Sequence, residues 1–187
     1  MKKLEEFILE KLKVGKIEKK TPKTKEELVK IMIEEIKENG HDCSLNHIDV
    51  SNITDMSYLF EGGALRVGND SHPILSEFDG DISEWNVSNV TNMSGMFYAS
   101  PFTGDISSWD VSNVSAMSYM FEKSKFNGDI SNWDVSNVKR FTHIFMNSSF
   151  SGDISNWKIN PDAKDHMQRM FSKSPLEKKP PIWYKKR

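Results

Sequence analysis

The sequence predicts an α/β repeat solenoid with one short strand and one short helix in each coil. Three observations carry that prediction. Phe78, Phe102, Phe126 and Phe150 open successive copies of one phrase, 24 residues apart. A period of this length with fixed apolar positions marks an architecture in which each unit buries its apolar face only against its neighbours. Within each copy, Trp-x-Val alternates apolar and polar residues as a half-buried strand does (Trp85 and Val87, Trp109 and Val111, Trp133 and Val135). Val90, Met93, Met96 and Phe97, with their counterparts in the next copy, then recur at helical spacing.

The elements follow in chain order. Leu4, Phe7, Ile8 and Leu12 predict a short amphipathic helix, and a basic linker completes residues 1–23. Residues 24–40 read as a helical cap. Thr24 with Glu27 forms a capping box, Leu28, Ile31, Met32 and Ile36 make an apolar stripe, and Asn39-Gly40 is a stop. Residues 41–171 hold the repeats, beginning with the degenerate unit LNHIDVSNITDMSYLF. An insert at 61–77, rich in Gly and turn signals, separates that unit from the regular ones and projects as a loop. In each regular unit the Gly of Gly-Asp (Gly80, Gly104, Gly128, Gly152) is expected to supply a positive φ. The last unit is atypical, with 14 residues from Trp157 to Phe171 where the others have 12. Residues 172–187 form an end piece and basic tail, in which LEKKPPIW looks like the start of one more unit.

The net charge of −2 conceals a segregation. Residues 1–40 carry 11 Lys against 9 Glu, residues 41–171 carry 8 Lys and Arg against 17 Asp and Glu, and residues 172–187 carry 6 against 1. An acidic body argues against nucleic acid on the repeat face. The single Cys43 excludes an intrachain disulfide, and no apolar stretch is long enough for a membrane span. With Glu5, Glu6 and Glu10 interrupting its apolar residues, the N-terminus lacks the pattern of a secretion signal. The expected location is cytoplasmic or virion-associated.

The recurring core G-D-I-S-x-W-[DN]-V-S-N-V-x-x-M-x-x-M-F resembles the repeat of the BspA-like leucine-rich-repeat surface proteins, a repeat also found in Mycoplasma surface lipoproteins and viral proteins. The resemblance covers residues 45–171. It implies a leucine-rich-repeat-like solenoid used for protein binding or adhesion, with no catalytic residues to carry over.

Two outward columns are the candidate partner-binding positions: Glu84, Ser108, Asn132 and Asn156, and Asn86, Asp110, Asp134 and Lys158. A third column, Asp81, Asp105, Asp129 and Asp153, would make a ladder of carboxylates able to hold a hard cation. The plainer reading, that each Asp caps its own turn in solvent, is preferred because no calcium-loop spacing accompanies it. The Trp column shares the phase of the buried Val and is assigned to the core. The five His show no metal-ligand spacing, and no acid, base or nucleophile constellation stands out, so neither a metal site nor a cofactor is expected.

The expected function is therefore a non-enzymatic protein–protein interaction module. The alternative is a structural virion or assembly component anchored through the N-terminal helix or basic tail. A sheet of five coils would be about 24 Å long and about 12 Å wide. Such a face falls short of the roughly 800 Å² per partner of a standard interface, so the insert or the ends would have to contribute to a tight complex.

Overall fold

The computed structural model describes residues 19–62, 66–67, 70–71 and 73–184. The amphipathic helix expected within residues 1–13 lies outside them. The chain enters through Lys20, which bridges in parallel to Ile48 of the first coil. Helix α1, Lys25–Asn39, follows. Thr24 is extended, and its Oγ1 accepts the Glu27 N–H, while the Glu27 carboxylate accepts the Lys23 N–H at 2.7 Å. The helix ends at Gly40 with φ 91°, a conformation that a residue without a Cβ adopts at little cost. Leu28, Val29, Met32 and Ile36 enter the common core and cover its first coil.

The insert forms a small antiparallel pair, β1 (Arg66–Val67) with β2 (Asp70–Ser71), then a 3-10 turn, Pro73–Glu77, whose buried Leu75 packs beneath α1.

The coils stack in parallel, but the expected α/β solenoid, leucine-rich-repeat-like with a strand and a helix in every coil, is overturned. Among the described residues the repeats contain neither element. Their β pairing is limited to isolated bridges (Ser44 with Asp81, Asp55 with Asn92, Asn92 with Ala116, Ala116 with Arg140), and the two other 3-10 turns, Pro161–His166 and Pro175–Glu177, lie at the C-terminal end.

The reason lies in overlapping three-residue turns. Met96 N–H bonds to Met93 O, Tyr98 N–H to Gly95 O, and Ser100 N–H to Phe97 O. These turns reproduce the i, i+3 spacing of a helix. A right-handed helix cannot form, however, because successive coils place Tyr58, Gly95, Tyr119, His143 and Arg169 at φ of 50–64°. The N–H groups between the turns point along the stack. Met93, Gly95, Phe97 and Ala99 donate to Ala116, Ser118, Met120 and Glu122 of the next coil at 2.7–2.9 Å, and the pattern repeats at the following coils.

On the Trp-x-Val side the alternation of burial is as expected, with Trp85 and Val87 buried and Asn86 exposed. Side chains replace the strand ladder there. The indole N–H of Trp85, Trp109, Trp133 and Trp157 donates to the carbonyl of Leu45, Ile82, Ile106 and Ile130 in the preceding coil at 3.0–3.2 Å. Asn89, Asn113, Asn137 and Asn160 donate in the same direction to Ser51, Ser88, Ser112 and Ser136 carbonyls. The indole bonds add a second donor to carbonyls that already accept the N–H three residues on, and the Asn bonds reach partly exposed Ser carbonyls, so both residue types tie each coil to the one before it.

Inside, Phe97, Phe121, Phe145 and Phe171 stack in a column with centroids 5.7–6.0 Å apart, and Phe78, Phe102, Phe126 and Phe150 form a second at 6.3–6.4 Å. The two columns interlock, as where Phe97 lies 4.6 Å from Phe102. This second column, rather than a positive φ, demands the Gly of Gly-Asp. None of these glycines has positive φ, but a Cβ on Gly104 or Gly128 would lie 2.8–2.9 Å from the Phe ring two residues earlier.

Both ends of the stack are capped. Lys25 Nζ donates to the Ser57 carbonyl and, at 3.1 Å, to its hydroxyl, on the edge where the coil carbonyls point outward. Burial lowers the Lys25 pKa, opposed by the nearby Asp55 carboxylate. At the other end Glu177 accepts the Lys173 N–H at 3.0 Å. Trp183 continues the indole ladder to Ile154 at 2.9 Å and stacks on Trp157 at 6.4 Å, as the LEKKPPIW reading anticipated.

Candidate functional site

The three predicted columns reach solvent together. Glu84, Ser108, Asn132 and Asn156 are exposed, as are Asn86, Asp110, Asp134 and Lys158, and Asp81, Asp105, Asp129 and Asp153. They flank the buried Ile82, Trp85 and Val87 positions, so the turns place them on one side of the stack.

Local hydrogen bonds fix two of these columns. Asp81, Asp105, Asp129 and Asp153 each accept the N–H of the Ser two residues on at 2.9–3.0 Å. Asn86, Asp110 and Asp134 accept from Ser88, Ser112 and Ser136 in the same way at 3.0–3.2 Å. These are Asx turns, in which the side-chain oxygen of Asp or Asn substitutes for a backbone acceptor. The remaining column is held more variably: Ser108 donates to Ser83 O at 3.1 Å, and the Glu84 N–H donates to Asn46 Oδ1 at 3.0 Å.

The electrostatics follow from the turns. The Ser107 N–H holds the Asp105 carboxyl below the ordinary carboxylate range, outweighing repulsion from Asp129 and Asp81. Asp81, Asp129 and Asp153 are lowered chiefly by the backbone N–H of Ser83, Ser131 and Ser155. For Asp110 and Asp134 the hydrogen bonds of Ser112 and Ser136 act likewise. Among the described residues no group of three or more His, Cys, Asp or Glu side chains is placed to hold a metal ion.

A folded-state pKa below the unfolded value gives stability that is complete above the unfolded pKa. It is lost as pH falls through the lower folded value. Denaturation midpoints are therefore expected to stay level down to about pH 5 and to fall below about pH 4, where unfolded Asp begins to bind protons. Asp105→Asn and Asp129→Asn, which keep an acceptor that does not titrate, are expected to shallow that fall. Midpoints unchanged down to pH 2.5 would contradict the role of the Asx turns.

A second surface escaped the sequence reading. On the edge formed by the positive-φ residues, Tyr58 lies across Gly95, where a Cβ would come within 2.2 Å of its ring. Tyr119 meets His143 edge-on at 5.3 Å, and His143 Nδ1 stands 3.5 Å from the buried Glu122 carboxylate. Lys123 Nζ donates to Tyr98 OH at 2.6 Å. Burial, together with Glu61, raises the Tyr58 pKa, and burial raises that of Glu61. The available signal was the variation Tyr, Gly, Tyr, His, Arg at one position of an otherwise constant phrase. Cys43, by contrast, has its thiol pKa raised by burial, the opposite of an activated nucleophile.

No described helix is long and apolar enough to cross a membrane. The family described as "Mycoplasma protein of unknown function, DUF285" matches residues 69–183. That span includes the regular coils and the end piece, and begins within the insert. No curated protein and no solved structure matches the chain.

Proposed function

The chain belongs to the DUF285 family, described as Mycoplasma proteins of unknown function, and from that premise we propose that it is a non-catalytic scaffold that binds another protein through its outward columns. One observation carries the reading. The interior residues repeat nearly unchanged from coil to coil, whereas the exposed positions between them vary: Glu84, Ser108, Asn132, Asn156 in one column and Asn86, Asp110, Asp134, Lys158 in the next. Stacking accounts for the constant residues. The variable ones are presented on turns whose hydrogen bonds hold the backbone beneath them, which limits the ordering cost of binding. The similarity of the G-D-I-S-x-W core to the BspA-like surface proteins supports adhesion or protein binding as the class of activity. The tyrosine edge adds residues of the type that dominate protein interfaces.

The test is affinity capture of the tagged full chain from its native source, beside an Asp110→Arg/Asp134→Arg variant. Loss of a specific partner is expected, because the variant reverses two charges at the centre of the face while leaving buried residues alone. An unchanged set of partners, with the variant folded by circular dichroism, would rule out this face. Parallel Tyr58→Ala capture separates the columns from the tyrosine edge.

A further inference from the structure

The last full coil is two residues longer between Trp157 and Phe171 than its predecessors. The lengthened segment includes the 3-10 turn Pro161–His166, held at its start by Asn160 Oδ1, which accepts the Asp162 N–H at 2.9 Å. Together with two earlier coils this turn borders a cavity of about 330 Å³ lined by Ser115, Lys139, Arg140, Asp162 and His166. The stacking explains how these residues meet. The Lys139 N–H donates to Ser115 O, Arg140 O accepts from Met117, and His166 O accepts from Phe141, so Arg140 and His166 occupy one column and Lys139 follows Ser115 in the adjacent one.

Nothing in coil stacking requires cations here. The same two positions carry Thr91-Asn92 and Ser115-Ala116 in the preceding coils, where the ladder bonds are the same. Lys139, Arg140 and His166 are exposed, so they are not there to fill the core. Among the described residues neither Lys139 nor Arg140 forms an ion pair. Two adjacent cations and an imidazole, opposed by the one lining carboxylate of Asp162, thus stand out within a body that is acidic overall.

We propose that this cavity binds a phosphate group, either the free ion or a phosphomonoester carried by a protein. Arg140 offers a planar fork of donors matched to two phosphate oxygens, and Lys139 adds a point charge. Asp162 and Ser115 set the selectivity. The Ser115 hydroxyl already donates to Thr91 O at 3.1 Å, so toward a ligand it acts as an acceptor, as the Asp162 carboxylate does. A protonated oxygen satisfies such an acceptor: inorganic phosphate keeps one at neutral pH, a phosphomonoester keeps one in about half of its molecules near its second pKa of about 6, and sulfate carries none at either pH. The volume lies at the lower end of small-ligand sites and leaves room for a group attached to the phosphate.

The test is an NMR titration of the full chain at constant ionic strength and about pH 6 with inorganic phosphate, sulfate, and a phosphoserine peptide beside its unphosphorylated form. Saturable shifts confined to the amides of Ser115, Lys139, Arg140 and His166 are expected with phosphate. Arg140→Gln should weaken binding at least tenfold, and Lys173→Gln, which removes an exposed cation outside the cavity, should leave it unchanged. Tighter binding of the phosphopeptide than of the free ion assigns the group to a phosphorylated protein, and the reverse order assigns it to the ion; both support the site. Sulfate binding as tight as phosphate, equal losses in both variants, shifts spread over all the lysines, or no saturation with either phosphate form would overturn it. The outcome is independent of partner capture by the outward columns.

Discussion

Trp109→Ala is expected to destabilise the protein by about 3 to 5 kcal/mol, the range for deleting a large buried aromatic side chain. The indole is only 4% exposed, packs 6.4 Å from Trp85 and 6.3 Å from Phe97, and sits between two coils that each depend on the next. Its removal also deletes the indole donor that reaches the Ile82 carbonyl at 3.2 Å, leaving that oxygen with the Trp85 N–H alone, and losing one such hydrogen bond costs about 0.5 to 1.5 kcal/mol. Typical domains have a total stability of about 5 to 15 kcal/mol, so this one change removes a large share. Urea denaturation followed by circular dichroism measures it. Trp109→Phe separates the terms, since it restores much of the packing but no donor, and is expected to lose roughly half as much. Equal losses in the two variants would mean that the indole hydrogen bond, not the ring, holds the coils together.

Gly80→Ala is expected to cost about 3 kcal/mol, at the upper end of the usual range for overpacking. A Cβ there would stand 2.0 Å from the Cys43 carbonyl oxygen and 2.7 Å from Cε2 of Phe78. The first neighbour is backbone and cannot rotate away. It is also the acceptor of the Asp81 N–H at 3.2 Å, while Leu45 donates to the Asp81 carbonyl at 2.8 Å, so making room for a methyl pulls apart the first and second coils. Gly128→Ala is the comparison. There the ring atoms are at 2.9 Å and the preceding carbonyl is 3.8 Å away, so a small tilt of Phe126 absorbs much of the strain. The expected order of denaturation midpoints is wild type, then Gly128→Ala, then Gly80→Ala. A reversed order would show that the ring, and not the carbonyl, sets the requirement for glycine.

The capping helix was legible because its signals are local. Thr24, Glu27 and Gly40 lie within a few residues of the groups they satisfy, and the apolar stripe needs only one face to be covered. The core was legible for a related reason: the Phe and Trp of all four copies assigned inward are buried, as are Val87, Val111 and Val135, with Ile159 of the last copy partly buried. The backbone conformation of the coils was not. A turn that closes every three residues and a helix give nearly the same spacing of apolar residues over seven positions. Tyr58, Tyr119, His143 and Arg169 also carry no sequence mark of positive φ, since none is Gly or Asn. The same ambiguity misassigned the Gly-Asp glycines, which are small to clear a ring rather than free to adopt a left-handed backbone.

For the sites, sequence placed the outward columns correctly in solvent because alternation with a buried residue is a one-coil property. It did not reveal that Tyr58 reaches across Gly95, or that Ser115, Lys139, Arg140 and His166 share a cavity, because those residues belong to different coils. Sequence alone dictated the period, the inward and outward phase, and the caps, since each depends on the order of residues along one turn of chain. Which backbone amides point along the stack, and which side chains of separate coils meet, was decided only by tertiary structure. An isolated coil has no partner for the N–H of Met93 or the indole of Trp109, and only the next or preceding coil supplies the carbonyl that selects the conformation.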